Sequence, residues 1–194
     1  MKKLKDKVVL ITGGASGIGK IMTRLLLERS AKVIICDIDK VNIDKTILEF
    51  SKKGEIFGFN IDVSSPESII KNVEKIKQQI GKIDVIINNA GIVNGKYAHE
   101  LSNQEIFNNH MINTIAPSIL AKEFLPKMYD RNAGHIVSLC SASSFVGVPK
   151  LSDYAASKAA IYSLDESLRL EIKKREARIA TTAICPFYIH TGMF

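Results

Sequence analysis

The sequence predicts an α/β protein: a doubly wound parallel sheet covered by helices on both faces, as one domain over residues 1–194. Three observations predict it. Strand-sized apolar runs alternate with stretches whose apolar residues recur every three or four positions. The runs are apolar throughout, as in strands buried on both faces. Ser65, Pro66, Gly81 and Gly134 fall at the junctions between segments.

In order, residues 8–11 (Val-Val-Leu-Ile) form the first strand, and Ile18, Ile21, Met22, Leu25 and Leu26 mark one face of the first helix. Residues 33–36 form the second strand, followed by a polar helix over 41–50, and 56–61 form the third. Ser65 is placed to cap the next helix with Pro66 in its first turn, and Gly81 ends it near residue 80. A fourth strand spans 83–87, helical segments span 103–113 and 114–129, and a fifth strand spans 135–140. A long helix over 152–175 and a sixth strand over 178–184 complete the alternation. Ligands on such sheets bind beyond the carboxyl ends of the strands, where strand order reverses. The chemistry should therefore gather just after strands one, two, four, five and six.

Composition narrows the classes. With 194 residues, 46% hydrophobic and 24% charged, the chain can bury a sizeable core and is neither disordered nor fibrous. No apolar run approaches the roughly 20 residues of a membrane-spanning helix, and residues 1–7 do not read as a secretory signal. Cys36, Cys140 and Cys185 lie apart in strand-like segments and read as small core residues of a reducing, cytoplasmic protein. The formal charge is +7; residues 1–53 hold 12 Lys/Arg against 6 Asp/Glu, and the remainder holds 15 against 14. Without aromatic interleaving or a binding motif, this reads as a solvated lysine-rich surface, so no nucleic-acid partner is expected. His99, His110, His135 and His190 lack metal-ligand spacing, and no metal site is expected.

After the first strand, residues 12–19 read Thr-Gly-Gly-Ala-Ser-Gly-Ile-Gly and open directly into a helix. Such a turn lets backbone amides approach a pyrophosphate at a helix N-terminus, although alone it is also an ordinary βα turn. Asp37 ends the second strand, where a carboxylate accepts from ribose hydroxyls and repels a 2′-phosphate. Asp39 is the better candidate for capping the following helix. Asp62 and Val63 are placed to contact an adenine edge, or to form a simple turn. Residues 88–92, Asn-Asn-Ala-Gly-Ile, suit a loop passing beneath a cofactor. Tyr154 and Lys158 stand four apart on a helix and share one face, where the ammonium is expected to lower the phenol's pKa for acid/base work. Ser141, at the end of the fifth strand, is placed to hold a substrate oxygen.

Taken together, these segments resemble the short-chain dehydrogenase/reductase family over the whole chain, with Asn113 and the Pro-x-x-Ile-x-Thr stretch at 186–191 in their places. The resemblance implies a Rossmann-type three-layer fold of strand order 3-2-1-4-5-6, with the family's last strand and helical substrate-covering segment absent from this chain, which is expected to be either a piece of a longer protein or one without that lid. It implies reversible hydride transfer between a nicotinamide cofactor, NAD rather than NADP, and an alcohol, usually secondary. In that scheme Tyr154 is the acid/base, Lys158 tunes it and binds the nicotinamide ribose, Ser141 orients the substrate oxygen, and Asn113 holds a relay water through its helix backbone. The cofactor falls to Gly13, Ser16, Gly17, Ile18, Gly19, Asp37, Asp62, Val63, Asn89, Ala90, Gly91, Tyr154, Lys158, Pro186, Ile189 and Thr191. The alternatives are an NADP-dependent carbonyl reductase and a non-catalytic nucleotide-binding protein. Pro186-Phe187 in place of the usual Pro-Gly, with the segments 122–128 and 135–144, resembles the branch acting on retinoids and hydroxysteroids, which would allow membrane-surface association. Family members pair as homodimers or homotetramers through the helices after strands four and five.

Overall fold

The computed structural model describes residues 4–187. In chain order it runs β1 (Val8–Thr12), α1 (Gly17–Leu27), β2 (Lys32–Asp37), α2 (Lys40–Phe50), β3 (Ile56–Asn60), α3 (Pro66–Gln79), β4 (Val85–Asn88), α4 (Asn103–His110), α5 (Ala116–Asp130), β5 (Gly134–Leu139), α6 (Ser152–Lys174) and β6 (Ile179–Ile184). Every ladder is parallel and the order is β3-β2-β1-β4-β5-β6, as expected. The chain starts at the centre, works outward to β3, then returns to lay β4 on the other side of β1. The connections leaving β1 and β4 diverge at that reversal, the place beyond the strand ends where sheets of this order bind ligands.

Alternation along the strands serves two cores. Leu10, Ile34, Ile86 and Ile136 face one layer of helices, meeting Ile69 and Val73 of α3, Leu120 and Phe124 of α5, and Leu168 of α6. Val9, Ile11, Val33 and Ile35 face the other, meeting Leu27 of α1 and Ile43 and Phe50 of α2. In β1, β2 and β4 both pleat faces are covered, and these central strands accordingly read as apolar runs rather than alternating ones.

The helix starts follow local chemistry. Asp39 Oδ1 accepts from Asn42 N at 3.0 Å, and Ser65 Oγ accepts from Ser68 N at 3.1 Å with Pro66 opening α3. Gly81, at φ +80°, closes α3 by giving its N–H to Ile76 O at 3.3 Å. One stretch differs from expectation. The two helices expected to meet at 113/114 are one continuous rod from Asn103 to Asp130, widened into a π-turn at Met111–Ile115. Pro117 explains it: with no N–H, it cannot give Asn113 O the bond of a regular α-helix, and the register loosens there. Among the described residues no helix is long and apolar enough to cross a membrane.

Candidate active site

The glycine turn sits where β1 passes into α1. Gly13 adopts φ +64°, which a side chain disfavours, and a Cβ on Gly19 would collide with the Gly13 carbonyl. Helix and turn can therefore touch only if both residues are glycine. Ser16 is the N-cap of α1, yet its side chain makes no capping bond, so the first amides of the helix carry no side-chain cap. Thr23 Oγ1 donates to Gly14 O at 3.0 Å and Thr46 Oγ1 to Ala15 O at 3.3 Å, anchoring the turn to two helices. Asp37 stands beside it: Oδ2 accepts from Ala15 N at 3.1 Å and Oδ1 from Asp39 N at 3.2 Å.

The loop after β4 is tied to the same turn. Thr12 Oγ1 accepts from Asn89 N and Ala90 N, both at 3.0 Å, and Asn89 Nδ2 donates to Thr12 O at 2.9 Å. Gly91 lies against the other half of the site, since a Cβ there would sit 3.1 Å from Asn113 Oδ1 and 3.4 Å from Lys158 Nζ. Asn113, buried in the π-turn, is fixed at both ends of its amide: Oδ1 accepts from Ile92 N at 2.9 Å, and Nδ2 donates to Ile92 O and Ser157 Oγ at 3.0 Å.

Tyr154 and Lys158 occupy the first turns of α6, beside the end of β5. Both are 5% exposed. The Ser141 hydroxyl hydrogen-bonds the Tyr154 phenol, so the two residues expected to share a substrate oxygen do meet. Lys158 Nζ lies 5.6 Å from the centre of the Tyr154 ring and donates to Leu139 O at 2.6 Å.

The electrostatics correct one expectation. The Tyr154 pKa stands above its ordinary value, not below it. Burial, the largest influence, raises it; the Ser141 bond opposes this and Cys140 adds to it. The lysine is itself buried among uncharged neighbours, which brings its own pKa down to about 8. Its donor is committed to a main-chain carbonyl, and no carboxylate pairs with it among the described residues.

Residues 7–194 match the short chain dehydrogenase family. The chain belongs to that family. It is 34% identical to short-chain dehydrogenase/reductase family 16C member 6 of Bos taurus and 33% identical to epidermal retinol dehydrogenase 2 of Mus musculus, in each case over all of this chain and 63% of the relative. It is 30% identical to human 17-beta-hydroxysteroid dehydrogenase 13, over 98% of this chain and 64% of that protein. The chain thus spans less than two thirds of the length of these relatives. These are the kinds of relative the resemblance pointed to. In structure it matches a short chain dehydrogenase/reductase from Burkholderia phymatum in complex with NAD, with a TM-score of 0.94 at 26% identity over 100% of this chain and 69% of the other. It also matches a metagenomic short-chain oxidoreductase in complex with NADP, at 0.89 and 25%, over 96% of this chain and 85% of the other.

Asp62 Oδ1 is taken by its own turn, accepting from Ser64 N at 2.8 Å and Ser64 Oγ at 2.6 Å, and Val63 packs against the core beneath α3. Pro186 is tied in through its carbonyl, which accepts from Ala142 N at 2.9 Å just after Ser141. Ile189, His190 and Thr191 lie outside the described residues. Cys36 and Cys140 are buried as expected, whereas Cys185 is only half-buried, just past the end of β6. Among the described residues no group of three or more His, Cys, Asp or Glu is arranged to hold a metal.

Four site residues escaped the sequence reading. Thr23 and Thr46 clamp the glycine turn, Thr12 ties the end of β1 to the loop after β4, and Ser157 links Asn113 to the Tyr154 main chain, donating to its carbonyl at 2.8 Å. Ser157 left a signal: it is a small polar residue between Tyr154 and Lys158 on the helix face that turns inward.

Proposed function

We propose that this chain is the core of an NAD(H)-dependent oxidoreductase interconverting an alcohol, secondary and lipid-like, with its carbonyl compound. The observation that carries this reading is the Ser141–Tyr154 hydrogen bond beside buried Lys158 and Asn113, at the carboxyl ends of β4 and β5.

The residues fit a nicotinamide dinucleotide. Amides without a side-chain cap at the start of α1 suit a pyrophosphate, and the space reserved by Gly13 and Gly19 lets it approach the backbone. Asp37, fixed by two backbone donors, suits a ribose diol. When bound, the dinucleotide supplies the carrier of the hydride. The chain does the rest. Ser141 Oγ donates to the substrate oxygen, and the Tyr154 phenol gives that oxygen a proton or receives one from it. The Lys158 ammonium, beside the ring, steadies the phenolate left behind. Asn113 holds the post-β4 loop so that Gly91 leaves room for Lys158. Catalysis here is positioning plus one proton transfer.

Phe145 and Val146, just past Ser141, and Phe187, just past Pro186, are 59%, 66% and 79% exposed. Apolar groups on the substrate side favour a hydrocarbon-rich alcohol over a sugar. Turnover of full-length protein with NAD and a panel of simple secondary alcohols, hydroxysteroids and retinol, followed by nicotinamide absorbance, tests the reading. No turnover of any of them overturns it. Exposed Ile106, Phe107 and Ile115 on the 103–130 rod support self-association, which sedimentation of the full-length protein tests.

Preference for NAD over NADP rests on Asp37. The nearest following cation, Lys40, is engaged by Asp44 at 3.0 Å, so a 2′-phosphate would meet a fixed carboxylate and an occupied lysine. Asp37→Ser is expected to shift the kcat/KM ratio toward NADP by about a hundred-fold, since a like-charge clash is worth several kcal/mol. A wild-type enzyme that already prefers NADP removes this role from Asp37.

A further inference from the structure

Asp153, next to Tyr154 in the first turn of α6, is 6% exposed and has no part in the scheme above. Its Oδ2 accepts from Asn94 Nδ2 at 2.6 Å, a short bond between segments 59 residues apart; its Oδ1 is buried with no hydrogen-bond partner among the described residues. A carboxylate is seldom buried with so few donors unless its one partner matters.

The bond closes a ring. Tyr154 O accepts from Ser157 Oγ, Ser157 Oγ accepts from Asn113 Nδ2, and Asn113 grips both polar atoms of the Ile92 backbone. Two residues later Asn94 reaches back to Asp153, and one peptide bond returns the path to Tyr154. On the outer side, Lys150 Nζ lies 5.2 Å from the centre of the Tyr97 ring, joining the same two segments a second time. Without the Asn94–Asp153 bond the ring opens at the end nearest the phenol. Among the described residues the start of α6 and the post-β4 loop would then be held together through Ser157, the approach of Gly91 to Lys158 and the exposed Lys150–Tyr97 contact.

We propose that Asn94 and Asp153 are positioning residues that hold the Tyr154 phenol in register with Asn113 and the loop bearing Gly91. The kinetic consequence rests on the dehydrogenase reading; the geometric one does not. Both are read on full-length Asn94→Ala, Asp153→Ala and Asp153→Asn. The first measurement is kcat and KM with NAD and the wild type's best alcohol. The second is the ultraviolet titration of Tyr154 itself, obtained by subtracting Tyr154→Phe. Ser141, Cys140 and Lys158 face the phenol in every variant and stay constant.

Asn94→Ala and Asp153→Ala are expected to lower kcat about ten- to a hundred-fold, the scale of a small misplacement of a catalytic group. KM for NAD should stay within roughly two-fold, because binding is not what the ring controls. Tyr154 should titrate lower in both, toward an ordinary tyrosine, as its ring loosens from burial. Asp153→Asn keeps an acceptor for Asn94 without the charge and should restore both readings. The proposal is overturned if Tyr154 titrates unchanged in Asn94→Ala and Asp153→Ala. It is equally overturned if Asp153→Asn behaves like Asp153→Ala, since charge rather than position is then responsible. A wild type that turns over no alcohol refutes the dehydrogenase reading, and the titration then decides the positioning role by itself.

Discussion

Tyr154→Phe is expected to lower kcat about a thousand-fold, within the range that a single positioned acid or base contributes. The protein should still fold and bind NADH. The substitution removes one oxygen from a side chain that is 5% exposed, so ring packing survives and the cofactor-facing residues keep their places. What is lost is the phenol that Ser141 bonds and that exchanges a proton with the substrate. Burial sets the phenol's pKa high, so its protonated form dominates at neutral pH and is ready for carbonyl reduction. In the oxidative direction kcat should rise with pH as phenolate forms. Measured kcat near the wild-type value in folded Tyr154→Phe removes Tyr154 from the chemistry.

Lys158→Met is expected to abolish turnover and yet make the protein more stable near neutral pH. The Lys158 pKa is about 8 in the fold against 10.5 ordinarily, and that gap is worth about 3 kcal/mol against the charged folded state. Losing the bond to Leu139 O returns about 1 kcal/mol, which leaves a net gain of about 2 kcal/mol. The sign follows from proton binding. Below about pH 8 the ammonium is charged in both states and the full penalty applies. From about 8 to 10.5 the unfolded chain holds a proton that the folded one has shed, so wild-type stability rises with pH. The advantage of Lys158→Met should therefore be greatest below pH 8 and fade toward 10.5, as denaturant melts across that range would show. An advantage that persists at high pH, or a destabilised variant at pH 7, contradicts the buried-charge account. An active site that tolerates such a group gives up stability for reactivity.

Much of this was readable from the chain alone. Val8 to Ile11 reads as a buried strand because both its faces meet helices, and Ser65-Pro66 starts α3 because capping chemistry is local. Tyr154 and Lys158 share a face because helical spacing guarantees it. What spacing cannot supply is environment. The same helix face that brings the ammonium close also buries both groups, and burial of the phenol itself sets its pKa above the ordinary value while burial of the lysine brings its pKa down. The π-turn was hidden because Pro117 acts through a missing bond, leaving the apolar periodicity on either side intact. Asp62 fits either role from sequence, and its bonds to Ser64 show the turn that orients it, which spacing alone does not give. Asn94 and Asp153 were invisible because neither carries a motif and the pair forms only once α6 docks.

The Thr12 hydroxyl, shared by the amides of Asn89 and Ala90, stitches the ends of β1 and β4 where the strand order reverses. The floor on which a dinucleotide would lie is thus made of the same bonds that hold the middle of the sheet together. Its conformational entropy is surrendered during folding rather than at binding, so nucleotide affinity need not bear the expense of ordering it. Heat cannot loosen that floor while leaving the sheet's centre whole; nucleotide binding and central sheet structure belong to one cooperative unit.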